Sequence, residues 1–548
     1  MITYWVLFII LFGVVVFIHE LGHFTLAKLA GVCVERFALG FGPAILKKTW
    51  RGTEYAICLF PLGGYVKMRG EDPEEARNAP PDPHSFSQIR PLARIGIVTM
   101  GPVSNLILPV FLFSLLFLVG VPTLVSQVGW VAPGSPAEKS GLKPGDRILA
   151  LEGRPLWKWT DMEEIVRKSP EKPVLFMVDR EGKRFEVSVT PKQERDTNAF
   201  GEEVPVGRIG VSPNSFRAVL GISDLKSPAA NLGLKTGDVV TAVDGQAVTY
   251  WWQLQEAFAS GMAGKRLSIE RRTGPIEEPK IERMEFLLLA TFTGLHQAGI
   301  ENGELYVRDV RPDSVAFKKG IEPGDRLLAV NHTPLESWAQ FQLLVRQNAG
   351  EKIILTILRG RTKRNVEFIP QEVQERNVIT QERERRRQFG VISASVPGEL
   401  AQRDERYLNP FKALYHGIAT TAEMTALTVG GLARLFTGQL SVRKSLGGPI
   451  SIFYLAGGSY EAGGWTSFIR MMALLSITLG IINFLPIPIL DGGHLLFCII
   501  EAVRGTPVNL KIREAAQQVG LVLIIGLMIL TFYVDIERYF LERIKALF

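Results

Sequence analysis

The stretch Val14–Lys28, VVVFIHELGHFTLAK, joins an unbroken apolar run to a glutamate and two histidines. From Ile2 to Ile18 there is no charged residue, and a helix needs roughly 20 apolar residues to cross a bilayer. Residues four apart share one face of a helix. His19 and His23 can therefore bind one Zn²⁺ between them, with Glu20 beside the metal to act on water, the H-E-x-x-H pattern. A pair of core histidines with a salt-bridged glutamate is the plain alternative. The apolar context argues against it, because an ionisable residue in a spanning helix costs about 2.5–3.5 kcal/mol on insertion scales. A metal offsets that cost and a bare histidine pair does not.

Hydrophobic residues make up 47% of the 548 and charged residues 21%, which suggests soluble modules spliced into a membrane protein. Four windows are apolar enough to span: Ile2–Ile18 running on through the motif, Ile95–Val121, Met471–Ile500 and Val519–Val534. The first lacks the basic start and small-x-small end of a cleaved leader. Cys33, Cys58 and Cys498 fit neither a disulfide framework nor a CxxC metal site. A net charge of +7 reflects Lys and Arg flanking the spans, and no basic-aromatic pattern points to nucleic acid. Arg36, Lys47, Lys48, Arg51, Lys67, Arg69, Arg77 and Arg90 follow the first span, and Arg504, Lys511 and Arg513 the third. The positive-inside rule puts both loops in the cytoplasm and the long region between the second and third spans outside. Arg538, Arg543 and Lys545 in the tail pull the other way.

That long region repeats itself. SPAEKSGLKPGDRILALEGRPLWKW (135–159), SPAANLGLKTGDVVTAVDGQAVTYW (227–251) and DSVAFKKGIEPGDRLLAVNHTPLESW (313–338) share a G-[LI]-x-x-G-D turn, an apolar strand, a polar turn and a tryptophan. The interval Asp146–Trp159 recurs as Asp238–Trp251 and Asp325–Trp338. A helical stretch (Met162–Lys168, Leu254–Ala259, Phe341–Gln347) and two strand-like runs follow each time. In the middle copy TGPIEEPKIER interrupts the last strands. The pattern resembles a circularly permuted PDZ domain, in which an extended peptide or C-terminus adds to a strand edge beside a helix. The plain alternative is that the modules serve only as spacers.

A catalytic zinc needs a third protein ligand and an open position. NFLPIPILDGGH (483–494) offers Asp491, the sole acidic residue of the third apolar window. Pro486 and Pro488 must break the helix there, and broken backbone at membrane depth needs protein or a water cavity around it. Spans one and three run in the same direction and carry their ionisable residues late, so His19, His23 and Asp491 should share a depth near the cytoplasmic side. His494 competes as third ligand, with a hydrogen-bonded helix-end residue as its preferred role.

H-E-x-x-H in the first span with N-x-x-P-x-P-x-L-D-G in a late one resembles the site-2 protease family of intramembrane zinc metalloproteases. FPLGGYVKMRGED (60–72), GPVSNL (101–106) and LGGPISI (446–452) extend the likeness over almost the whole chain. The resemblance implies zinc on His19, His23 and Asp491, Glu20 as catalytic base, and Asn483 helping to hold substrate. It implies that FPLGGYV belongs to a membrane-associated β-hairpin, whose exposed edge at Gly63, Gly64 and Tyr65 presents the scissile segment as a strand. It further implies single-span substrates such as anti-sigma factors and remnant signal peptides, in a bacterial inner membrane. The familiar arrangement has two PDZ modules, whereas three are counted here.

The expected architecture is thus a polytopic α-helical membrane protein of about four spans, with an inserted extracytoplasmic tandem of PDZ domains and a membrane-associated hairpin. The segments are 1–30 (first span), 31–93 (hairpin region), 94–122 (second span), 123–210, 211–300 and 301–375 (PDZ modules), 376–464 (linker), 465–501 (third span), 502–515 (cytoplasmic loop), 516–536 (fourth span) and 537–548 (tail). Within the linker, 409–438 reads as an amphipathic helix at the outer leaflet or near substrate entry, and QERERRRQFG (381–390) as a solvated or headgroup-facing run. The modules would exclude substrates with bulky ectodomains. His84, His296, His332 and His416 carry no assigned chemistry. The rival readings are a membrane-anchored PDZ scaffold or chaperone with a degenerate metal motif, and a tethered zincin acting on soluble peptides.

Overall fold

The computed structural model describes residues 2–540 except 72–79, 81, 133, 198–201, 223, 225, 260–263, 275–279, 289–293, 336, 348–350, 377–382, 395–399, 440–446 and 507. Gln381 and Glu382 of the charged run 381–390 therefore lie outside the described residues. The chain forms two compact units. One comprises Met1–Val121, Arg376–Arg383 and Asp404–Phe548, the other Pro122–Glu375 and Glu384–Arg403.

Among the described residues of the first unit, four helices are long and apolar enough to span a membrane: α1 (Ile2–Leu29), α2 (Pro91–Val119), α4 (Pro449–Asn483) and α6 (Leu510–Tyr539). Between them come the hairpin β1 (Val34–Trp50) and β2 (Thr53–Met68), α3 (Pro410–Phe436) and α5 (Asp491–Arg504). α2 is the hub, packing against α1, α3, α4 and α5. The third candidate span is broken in two, with Ser459 Oγ before the break 3.4 Å from Met471 Sδ after it. α4 begins at Pro449, kinks at Gly463 and Gly464, and stops at Asn483. Pro486 and Pro488 forbid continuation, and the chain restarts as α5 at Asp491.

Membrane helices must satisfy their own terminal backbone groups. At the start of α4 this falls to Asp535 of α6, which is fully buried. Its carboxylate accepts from the N–H groups of Gly448, Ile450 and Ser451 and from Ser451 Oγ. A carboxylate at a helix N-terminus also meets the positive end of the helix dipole. The GGPIS segment thereby acquires a structural role that its sequence did not disclose.

The hairpin has two environments along its length. Val34, Phe37, Ala38 and Val66 are buried, and Phe37 stacks edge-on to Phe17 and Phe24 of α1. Toward the turn at Arg51 and Gly52, Ile45, Leu46, Trp50, Ile57, Leu59 and Phe60 are exposed.

The second unit contains three copies of one four-stranded sheet. In the first copy the strand order is Arg154–Pro155, Arg147–Leu151, Val174–Arg180, Lys183–Val189. The middle copy keeps this order despite its interruption, because Lys265–Thr273 and Lys280–Leu288 still pair through their length. Each repeated tryptophan opens a helix: Trp159–Arg167, Trp251–Ala259 and Trp338–Gln347. Each copy also has its own core, centred on Leu151 and Phe176, on Leu254 and Phe258, and on Phe341 and Leu355.

The G-[LI]-x-x-G-D turn is explained by one buried ion pair made three times. Asp146, Asp238 and Asp325 are at most 1% exposed. Arg180, Arg271 and Arg359 each donate through Nε and Nη2 to the two carboxylate oxygens at 2.6–2.7 Å. The same Nη2 reaches the carbonyl of Gly141, Gly233 or Gly320, and a turn N–H fills the remaining acceptor site. A second device recurs as well. Ser135, Ser227 and Ser314 cap short helices, and Gly210, Gly299 and Gly390 lie over them with φ of +80°, +79° and +93°. A Cβ at any of these glycines would sit 2.2–2.4 Å from the serine Cβ.

Removing one partner of a buried pair leaves an uncompensated charge and costs about 3–5 kcal/mol. Arg271→Met should therefore expose the middle module to protease at markedly lower urea. Arg195→Met, which breaks the exposed pair with Glu203, should change stability by under about 1 kcal/mol. Pulse proteolysis of the full chain across a urea series checks both, and equal midpoints would refute the role of the pair.

Candidate metal centre

His19 and His23 face the same side of α1, both nearly buried. α1 can bring them against α2 because two glycines meet there. A Cβ on Gly22 would lie 2.4 Å from the Met100 carbonyl oxygen, and one on Gly101 would lie 2.1 Å from His23 Nε2. Asp491 arrives from the opposite side. It is the first residue of α5, immediately after the proline-broken loop. Gly492 and Gly493 press on that loop, where a Cβ would stand 2.2 Å from the Leu485 carbonyl oxygen and 2.4 Å from that of Ile487. The L-D-G-G sequence thus packs α5 against the loop tightly enough to turn Asp491 inward.

The three side chains converge. His19 Nε2 is 3.0 Å from Asp491 Oδ2, His23 Nε2 is 3.6 Å from the same oxygen, and the two Nε2 atoms are 3.3 Å apart. Donors about 2.0–2.2 Å from a tetrahedral zinc lie roughly 3.3–3.6 Å from one another. The donor set, two imidazoles and a carboxylate, suits such an ion; two of the three spacings fall in that range and the His19–Asp491 one is 0.3 Å short of it. Among the described residues this is the one group of His, Cys, Asp and Glu so arranged.

Around the donors is a cavity of about 210 Å³ lined by His19, Glu20, His23, Tyr65, Glu71 and Asp491 among others. Glu20 is half-buried at its wall and touches the hairpin: a Cβ on Gly64 would be 3.1 Å from Glu20 Cγ. Gly63 adopts φ +109° beneath the Phe41 ring, a conformation that favours glycine. Of the residues expected to meet substrate, Tyr65 lines the cavity and Gly64 abuts Glu20. Asn483, the last residue of α4, is not part of the cavity wall. His494 lines it 3.5 Å from Arg513 Nη2 and stands outside the three-donor group.

Several participants escaped the sequence reading. His23 Nδ1 pairs with the Ile97 carbonyl at 2.8 Å, and His19 Nδ1 faces the Asn105 side chain. Arg94 and Glu501 form a mostly buried pair at 2.8 Å in the cavity wall. Glu71, just after β2, has its carboxyl pushed up by burial, although Met68 N–H donates to it. An asparagine in mid-span was an available signal, since an amide there demands a partner. The backbone partner of His23 left no trace in side-chain identities.

The peptidase family M50 matches residues 7–527. Protease RseP of Yersinia pestis is 31% identical over 97% of this chain and 98% of its own length. Regulator of sigma-E protease RseP of Escherichia coli K12 is 30% identical over the same shares. A Neisseria meningitidis relative bearing a zinc metalloprotease name is 29% identical, again over 97% and 98%. A PDZ domain protein from Parabacteroides distasonis is similar at TM-score 0.13 and 12% identity over 45% of this chain, too slight to carry an argument. With the family's match running through nearly all of its length, the chain belongs to peptidase family M50 and is a site-2 intramembrane protease.

Proposed function

We propose that His19, His23 and Asp491 hold a zinc ion and that Glu20 is the catalytic base for hydrolysis of a peptide bond within a transmembrane segment. The observation that carries this is the triangle of donors at 3.0, 3.3 and 3.6 Å, closed by elements 468 residues apart, Asp491 minus His23. A bound zinc supplies Lewis acidity, polarising the scissile carbonyl and lowering the pKa of water toward about 7. Glu20 takes a proton from the attacking water as its oxygen bonds the carbonyl carbon. Glu20 then delivers that proton to the departing amide nitrogen as the C–N bond breaks.

A helical substrate shields its carbonyls by hydrogen bonding, so it must unwind before attack. The Gly63–Tyr65 edge of β2, beside Glu20, is suited to pair with the freed backbone. Asn483 is assigned the same task of holding substrate from the end of α4. The three repeated modules are read as PDZ domains on the outer face of a bacterial inner membrane, with the metal site toward the cytoplasm. The Lys and Arg in the 31–93 and 502–515 loops support that orientation. The relatives' names as regulators of sigma-E support anti-sigma-factor-like, single-span substrates, with remnant signal peptides as a second class. The modules then act as a filter that admits only substrates already trimmed outside.

Two experiments test this reading. Glu20→Gln purified in detergent should retain one zinc per chain and lose cleavage of a single-span substrate by about 10²–10⁴-fold. Asp491→Ala should lose the zinc as well, and chelation of the wild type should abolish cleavage. Zinc absent from the wild type, or full activity in Glu20→Gln, would overturn the assignment. For the filter, deletion of residues 125–375 should let substrates with intact ectodomains be cut, and retained selectivity would refute it.

A further inference from the structure

We infer that Asn105 is the positioning residue of His19: its side-chain oxygen accepts a hydrogen bond from His19 Nδ1–H and holds the imidazole with Nε2 toward the metal. The inference rests on the reading of His19 as a ligand.

Asn105 is 1% exposed in the middle of α2, where an unpaired amide is costly. Its Nδ2 lies 3.3 Å from His19 Nδ1, and its Oδ1 is buried with no partner. His19 Nε2 faces Asp491 Oδ2 and His23 Nε2. A histidine that ligates through Nε2 is neutral and carries its proton on Nδ1. An Nδ1–H directed at an amide NH₂ opposes donor to donor. Exchanging the amide nitrogen and oxygen, which have the same shape, removes the donor–donor opposition at His19 without moving a heavy atom, and puts the amide NH₂ where the oxygen stood. The orphaned oxygen gains a donor, and His19 is locked in the metal-binding tautomer. His23 is held the same way, by the Ile97 carbonyl.

The position of Asn105 is itself fixed. Pro109, four residues on, has no N–H to give to the Asn105 carbonyl. Ser476 Oγ of α4 donates to that carbonyl at 2.7 Å, and Ser476 is fully buried. A proline that would weaken an ordinary helix thus frees a carbonyl, which ties α2 to α4 at the residue that orients His19. Gly101, one turn earlier, brings His23 against the same helix.

The test is zinc affinity of the full chain in detergent, read by competition with a chromophoric chelator. Loss of an outer partner of a metal-bound histidine weakens binding by about 10–100-fold. Asn105→Leu, similar in size but without an acceptor, should show that loss. Asn105→Asp, which restores an acceptor, should bind within a few-fold of wild type or more tightly. Should Asn105→Leu not fold, Asn105→Ala is read in its place with the same expectation. Wild-type affinity in the variant without an acceptor, or equal weakening in the aspartate variant, overturns the inference. Zinc absent from the wild type overturns instead the reading of His19 as a ligand, so the two failures are distinguishable.

Discussion

A hydrocarbon environment offers no water to an unpaired polar group, and the membrane unit is organised around that constraint. Several departures from an apolar, unbroken helix are met by groups from elsewhere in the unit. The carbonyl freed by Pro109 is met by Ser476. The N-terminus of α4 is met by Asp535. The carbonyls of the Phe484–Leu490 loop are approached closely at Gly492 and Gly493. Once His19, His23 and Asp491 are placed within 3.6 Å of one another, the remaining cost is the mutual burial of their polar atoms, which a cation relieves. Fold and candidate metal site are therefore one problem. The helix breaks that destabilise the bundle are the features that direct the donors inward.

The second unit solves a different problem three times. Small modules have small cores, and each here adds a doubly bonded Asp–Arg pair and a serine cap under a glycine of positive φ. The pair's carboxylates are almost fully buried while the guanidiniums remain partly exposed. Desolvation therefore falls mainly on one partner, whose oxygens are satisfied by the arginine and a turn N–H. That arrangement explains why the aspartate is fixed in the repeated motif while the residues between it and the tryptophan vary.

Much of this was legible because side-chain identity carried it. H-E-x-x-H and the L-D-G segment named the three side chains that converge, through helical spacing and the cost of charge in an apolar span. The Asp-to-Trp interval found the three modules, and the tryptophan proved to open each helix. What stayed hidden depended on pairing between distant residues. Arg180, Arg271 and Arg359 lie 34, 33 and 34 residues after their aspartates, a regularity that becomes visible once the aspartate is seen to be buried. Asn105 stood in a quoted motif without a role, since nothing local shows that it faces a histidine 86 positions earlier.

The three modules also separate frame from surface. Their ion pairs and capped turns repeat almost atom for atom, but the clefts between helix and strand do not. The first is lined by Glu163, Arg167 and Arg208, and the third by Arg311, Arg346 and Gln388. The cavity beside Trp251, Trp252 and His296 of the middle copy is lined also by Trp130 and Glu138 of the first and by Glu304 and Arg326 of the third. Edge pairing through the backbone would be common to all three, because it depends on the repeated frame. Side-chain selection would not be, since Glu163, Arg167 and Arg208 in the first cleft and Arg311, Arg346 and Gln388 in the third favour different partners. The repeat keeps what each module needs in order to fold and varies the side chains around it, so the three modules are not identical surfaces.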